Sequence, residues 1–85
     1  MLTRNDRRHA YKAIEATRLR RVNNLRRLQD LFGSTAELAR HLGKAPSFVT
    51  AICGPNPRRE IGEVLARDIE NALKLTTGWL DAEHG

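Results

Sequence analysis

Residues 33–54 read GSTAELARHLGKAPSFVTAICG. Local chemistry resolves this stretch into two short helices around a glycine. Gly33 stops the preceding helix as a residue just past a helix end should. Ser34-Thr35-Ala36-Glu37 reads as a capping box, in which the serine oxygen takes a backbone N–H and the glutamate reaches back. The helix that follows is expected over residues 35–42, burying Ala36, Leu38, Ala39 and Leu42. Gly43 ends it, since only glycine turns left-handed there without steric cost. Pro46 suits a first helical turn. The second helix is therefore expected over Pro46–Cys53, with Val49 and Ile52 facing inward.

Upstream, no Gly or Pro occurs before Gly33. Val22, Leu25, Leu28 and Phe32, with Leu31 beside them, recur at offsets of three and four and mark one buried helix face. Arg18–Phe32 is thus read as a core helix. Residues 6–17 read three ways: as its extension, as a separate short helix, or as a mobile arm. Asn23-Asn24 is the expected weak point, because Asn has poor helix propensity.

Downstream, GPNPRRE (54–60) is the proline-rich loop. It leads into a helix expected over Ile61–Leu73, where Ile61, Leu65, Ile69 and Leu73 repeat at four. Glu63–Arg67 and Glu70–Lys74 have the favourable i,i+4 order on its outer face. LTTGWLDAEHG (75–85) reads as a turn, a short last helix around Trp79-Leu80 and a polar end. No strand pattern, internal repeat or low-complexity tract is present in the sequence. The expected fold class is all-α, with five helices.

Small Ala39 lets two helix axes cross closely, Leu42 packs under the turn, and Val49 and Ile52 anchor the second helix. This is helix-turn-helix grammar. With LARHLG, PSFVTAI and Gly54, the sequence resembles the lambda-repressor-like (Cro-type) DNA-binding domains of phage and bacterial transcriptional regulators. Ile61-Gly62, Leu65-Ala66-Arg67, Ile69-Glu70 and Gly78-Trp79-Leu80-Asp81 match a subgroup of that family. The resemblance covers roughly residues 18–82, with the helix-turn-helix unit at 35–54. Residues 1–17 form a basic N-terminal arm or helix extension, and 83–85 a polar tail.

The resemblance implies base-contacting roles for Ala45, Pro46, Ser47, Thr50 and Ala51. Helix geometry agrees, since Ser47, Thr50, Ala51 and Gly54 lie opposite Val49 and Ile52. Relatives usually place Gln, Asn, Arg or Ser at these positions. Here the bidentate pairs worth ~1–3 kcal/mol each are unavailable from the second helix. Affinity is therefore expected mainly from phosphate contacts: the helix N-termini at Thr35 and at Pro46-Ser47, Lys44 in the turn, and Arg58-Arg59 beyond. Arg4, Arg7 and Arg8 are read as an arm entering a minor groove, where arginine senses width and A·T content.

Composition agrees with one small domain, and a chain this short often leans on a partner subunit or a bound ligand. Net charge is +5 over 85 residues, but unevenly placed. Residues 1–32 hold nine Arg/Lys against three Asp/Glu, and residues 33–85 hold six against seven. Such asymmetry favours a polyanion, nucleic acid or an anionic membrane; a solvated basic helix is the bland alternative. No apolar run approaches the ~20 residues that cross a bilayer. The charged N-terminus lacks the apolar core of a secretory signal. One cysteine, Cys53, excludes an internal disulfide and a multi-cysteine metal site and suits a reducing cytoplasm; the resemblance implies that this is a bacterial cytoplasm, with the protein at the nucleoid. Cys53 is read as a small helix residue, Trp79 as core, and Phe48 as core-edge packing beside Ile52.

An enzyme is not expected. His9, His41 and His84 are far apart, and no Cys-x-x-Cys, His-x-x-x-His or glycine-rich phosphate loop occurs. Asp81, Glu83 and His84 are better read as solvated surface than as metal ligands. No cofactor is expected. The leading reading is a sequence-specific binder of double-stranded DNA, a small phage-type or mobile-element repressor acting as a homodimer on an inverted repeat. Its dimer surface would use Tyr11 and Ile14, or the last helix around Leu75, Trp79 and Leu80. A second reading is an antitoxin-like protein that masks a protein partner and binds DNA secondarily. A third is the DNA-binding fragment of a longer repressor with a self-cleaving peptidase domain.

Overall fold

The computed structural model describes the backbone of residues 4–84 and the side chains of residues 12–84. The fold is all-helical over these residues. The order is α1 (Arg4–Phe32), α2 (Thr35–Leu42), α3 (Pro46–Cys53), α4 (Glu63–Ala72) and a single 3-10 turn at Trp79–Asp81. The expected fifth helix is that 3-10 turn: Gly78 enters it left-handed, and Ala82 leaves it in extended conformation. α4 is also shorter than Ile61–Leu73. Ile61 is buried but lies before the helix, and Gly62 is the N-cap.

α1 is one continuous helix of 29 residues. At 1.5 Å per residue that is about 43 Å, close to the molecule's 46 Å long axis. Of the three readings of residues 6–17, the structure selects the extension. Asn23-Asn24 does not interrupt it. The Asn24 amide donates to the Leu80 carbonyl (2.8 Å) and the Ala82 carbonyl (2.7 Å), which satisfies it against the C-terminal segment.

The core gathers Leu25 and Leu28 from α1, Leu38 and Ala39 from α2, Val49, Ile52 and Cys53 from α3, and Ile61, Ala66, Ile69 and Leu80. Trp79 and Phe48 are half-buried against it, as expected. Ala36 is exposed instead of buried, so the inner face of α2 is Leu38 and Ala39, with Leu42 at its edge.

Two charged side chains lie inside. Arg21 donates to Asp81 (2.6 and 3.1 Å), to Glu63 (2.8 Å) and to the Ile61 carbonyl (3.0 Å). It ties α1 to both ends of the α4–3-10 segment. Glu70 accepts from the Gly78 N–H (3.0 Å) and the Leu80 N–H (2.8 Å). Glu70 was expected on the outer face with Lys74; it is buried, and its ion partner is Arg67 at 3.3 Å. The 3-10 turn needs an acceptor at its N-terminus, and Glu70 is the group that reaches it.

Candidate nucleic-acid interface

The α2–α3 pair forms much as its local signals dictate. Ser34 Oγ accepts from the Glu37 N–H at 3.1 Å. The capping box is only half made: the Glu37 carboxylate turns to Arg40 at 2.7 Å, which holds it below the usual carboxylate range. Gly43 closes α2 left-handed at φ 69°, and the Lys44 N–H returns to the Ala39 carbonyl at 3.0 Å. The chain then enters α3 extended at Ala45, and Pro46 sits in the first turn.

α3 has two distinct sides. Val49, Ile52 and Cys53 are buried. Ala45, Pro46, Ser47 and Thr50 are exposed, and Ala51 is half-buried. Apart from Thr50, these exposed groups are small or lack a polar side chain. Thr50 Oγ1 donates back to the Pro46 carbonyl at 3.2 Å, so its proton is committed and its lone pairs face outward as acceptors.

Beyond α3 the loop folds back over the helix end. A Cβ on Gly54 would stand 2.5 Å from the Thr50 carbonyl oxygen, so this close approach requires glycine. The N–H groups of Arg58 and Arg59 both donate to the Ala51 carbonyl, at 2.8 and 3.0 Å. Residues 58–59 are thereby pinned beside the outward face of α3. Lys44, Arg58 and Arg59 are exposed, and none has a carboxylate within 4.0 Å among the described residues. Thr35 is half-buried in the first turn of α2. Arg4, Arg7 and Arg8 fall within the first turns of α1, and their side chains, like that of Tyr11, lie outside the described residues.

Two contributors were not visible in sequence. Arg26 donates from Nε to the Cys53 carbonyl (3.0 Å) and from Nη2 to the Gly54 carbonyl (2.9 Å), capping the C-terminus of α3 from α1. Its partners are some 27 positions away, and no local pattern reports them. Phe48 has Lys44 four residues before it, in the turn ahead of α3, and its contact with Arg59 is purely tertiary. Cys53 is buried with its thiol 3.5 Å from Gln29 Oε1, and burial pushes its pKa up against the opposing charge of Arg26. It remains a protonated packing group.

The C-terminal polar residues are committed within the fold. Asp81 pairs with Arg21 and Arg67, Glu83 lies 3.5 Å from Arg20, and His84 Nε2 lies 2.7 Å from the Trp79 carbonyl with its ring stacked on the indole. None of the described helices is long and apolar enough to cross a membrane.

Compared with known proteins, the chain is 34% identical over 64 residues, 75% of its length, to the prophage repressor CohE of Escherichia coli (strain K12). It spans 29% of the length of that protein. No family model matches the chain. No solved structure matches it.

Proposed function

We propose that this chain is a sequence-specific double-stranded DNA-binding regulator, a phage-type repressor that binds an inverted-repeat operator as a homodimer. The observation that carries the reading is the two-sided α3. Its small outward residues are framed by three exposed cations without carboxylate partners, Lys44, Arg58 and Arg59. The similarity to a prophage repressor supports it. In this reading residues 18–82 are the DNA-binding unit, α3 enters the major groove, and residues 35–54 present it.

Phosphate contacts supply most of the affinity, from Lys44, Arg58, Arg59, Thr35 and the N–H of Ser47. Ala45, Pro46, Ser47 and Ala51 let the α3 backbone approach the base edges closely. Thr50 accepts from a cytosine or adenine amino group, and its methyl or that of Ala51 meets a thymine methyl. Arg4, Arg7 and Arg8 add a basic arm at the N-terminus of α1.

Selection of duplexes from a random library, at two salt concentrations, tests this. An enriched inverted repeat with half-sites about one helical turn apart is expected. Salt-sensitive retention without any motif would remove the sequence-specific reading. Replacing Arg4, Arg7 and Arg8 with Ala is expected to flatten the salt dependence of binding, and an unchanged slope would remove the arm.

A further inference from the structure

Lys44 and Arg59 lie on opposite sides of α3 in sequence, yet both stand over one aromatic ring. Lys44 Nζ is 5.6 Å from the centroid of Phe48, and Arg59 Cζ is 5.3 Å from it. Both separations fall within the range in which a cation is attracted to a ring face. Phe48 itself is fixed: it is half-buried and packed against the core. On the helical wheel it lies on the flank of α3, between the buried Val49–Ile52 side and the outward Ser47–Ala51 side.

The same groove holds Glu60, Glu63 and Asp68, any of which might have quenched these cations. Two are drawn elsewhere from α1. Glu60 pairs with Arg18 at 3.3 Å, and Glu63 with Arg21 at 2.8 Å. Asp68 has no basic partner within 4.0 Å among the described residues. Neither Lys44 nor Arg59 has a carboxylate within 4.0 Å among the described residues, although Asp68 lines the same groove. The Arg59 backbone is also restrained, through its N–H on the Ala51 carbonyl.

We propose that Lys44, Phe48 and Arg59 form a clamp for one stretch of DNA backbone phosphate, with Phe48 as the positioning residue that preorganises the two cations beside α3. The proposal rests on the DNA-binding reading above and deepens it. A flexible lysine and arginine lose side-chain freedom when they engage phosphate. The ring restricts that freedom before DNA arrives, so less is lost on binding. The ring contributes no charge of its own. Its removal should therefore weaken binding while leaving the number of released counter-ions almost unchanged.

The test uses the full chain and labelled mixed-sequence duplex DNA, with affinity measured across a salt series and folding followed by thermal melting. Phe48→Leu keeps an apolar side chain and removes the ring face. It is expected to weaken binding about three- to tenfold with little change in salt slope, and Phe48→Tyr is expected to restore wild-type affinity. Lys44→Gln and Arg59→Gln are each expected to lower the slope of log K against log salt by about 0.9. In the Phe48→Leu background each should cost less affinity than in the wild type. Binding by Phe48→Leu equal to wild type would overturn the clamp and leave the DNA reading intact. So would Phe48→Tyr as weak as Phe48→Leu. If Phe48→Leu fails to fold, the two exposed-cation variants decide, and unchanged slopes overturn the clamp. If the unaltered chain retains no duplex even at low salt, the DNA reading itself fails.

Discussion

Glu70 lies in the last turn of α4 and Lys74 just past its end, and their fates are opposite. Glu70 is 1% exposed and serves as the acceptor for two backbone donors of the 3-10 turn. Glu70→Ala leaves the buried Leu80 N–H and the part-buried Gly78 N–H without a partner and takes one carboxylate from Arg67. The expected loss is roughly 2–5 kcal/mol, read as a lower urea midpoint. Glu70→Gln, which keeps one oxygen, should fall between the two. Lys74 holds φ 57°, a left-handed conformation that costs a side-chain-bearing residue free energy. There it lets the Leu75 N–H reach the Glu70 carbonyl at 2.8 Å and closes α4. Lys74→Gly should therefore stabilise the protein by about 0.5–1 kcal/mol, the relief of strain being partly offset by the greater freedom of glycine when unfolded. A midpoint that falls would mean the left-handed turn is not the stable form.

At the level of elements, the boundaries of α2 and α3 were legible because Ser34, Gly43 and Pro46 act on their immediate neighbours. The extent of α1 was not, because Asn24 is satisfied by carbonyls 56 and 58 positions away. The same limit hid Arg21, Arg26 and Glu70. On a helical wheel a charged residue reads as outer face, and only tertiary placement supplies the partners that let it go inside. The small outward face of α3 was readable from periodicity, whereas its tether to α1 through Arg26 was not. Arg26→Ala should release two terminal carbonyls of an eight-residue helix. The expected cost is about 1–2 kcal/mol, with faster hydrogen exchange concentrated in α3. The 3-10 turn has its own pH signature. Hydrogen bonding from Arg21, and then from Arg67, holds the Asp81 carboxyl below the usual carboxylate range. As pH falls, the unfolded chain takes that proton first, so the unfolded state gains stability relative to the native one. The contribution is complete above about pH 3.9, the ordinary Asp value, and is lost as pH falls through the lower native value. Melting temperature should drop across that acid window in the wild type and drop less in Asp81→Asn. Equal acid slopes would show that the Arg21–Asp81 pair does not hold the turn.

Across the whole molecule, the uneven charge takes on a different meaning once partners are assigned. The nine basic residues of segment 1–32 suggested a surface for polyanions. Five of them, from the described part of α1, have acceptors inside the protein. Arg18 meets Glu60, Arg20 meets Glu83, Arg21 meets Asp81 and Glu63, Arg26 caps α3, and Arg27 donates to the His84 carbonyl. These arginines act as staples between a long helix and the C-terminal half, three of them on the carboxylates Glu60, Glu63, Asp81 and Glu83 and two on backbone carbonyls. The exposed pairs add little stability individually, but each keeps a guanidinium facing protein. Among the described residues, Lys44, Arg58 and Arg59 are the exposed cations without a carboxylate within 4.0 Å that cluster around α3, whereas Lys12 and Lys74 are exposed and unpaired away from it. Counter-ion release should follow this partition. Arg58→Gln combined with Arg59→Gln should lower the salt slope of duplex binding by about 1.8, two phosphate contacts at roughly 0.9 each. Arg20→Gln combined with Arg27→Gln removes the same formal charge from α1 and should leave the slope unchanged. Both double variants alter net charge equally, so a difference between them measures placement alone. Equal reductions would mean that total charge, and not the cluster beside α3, governs the encounter with DNA.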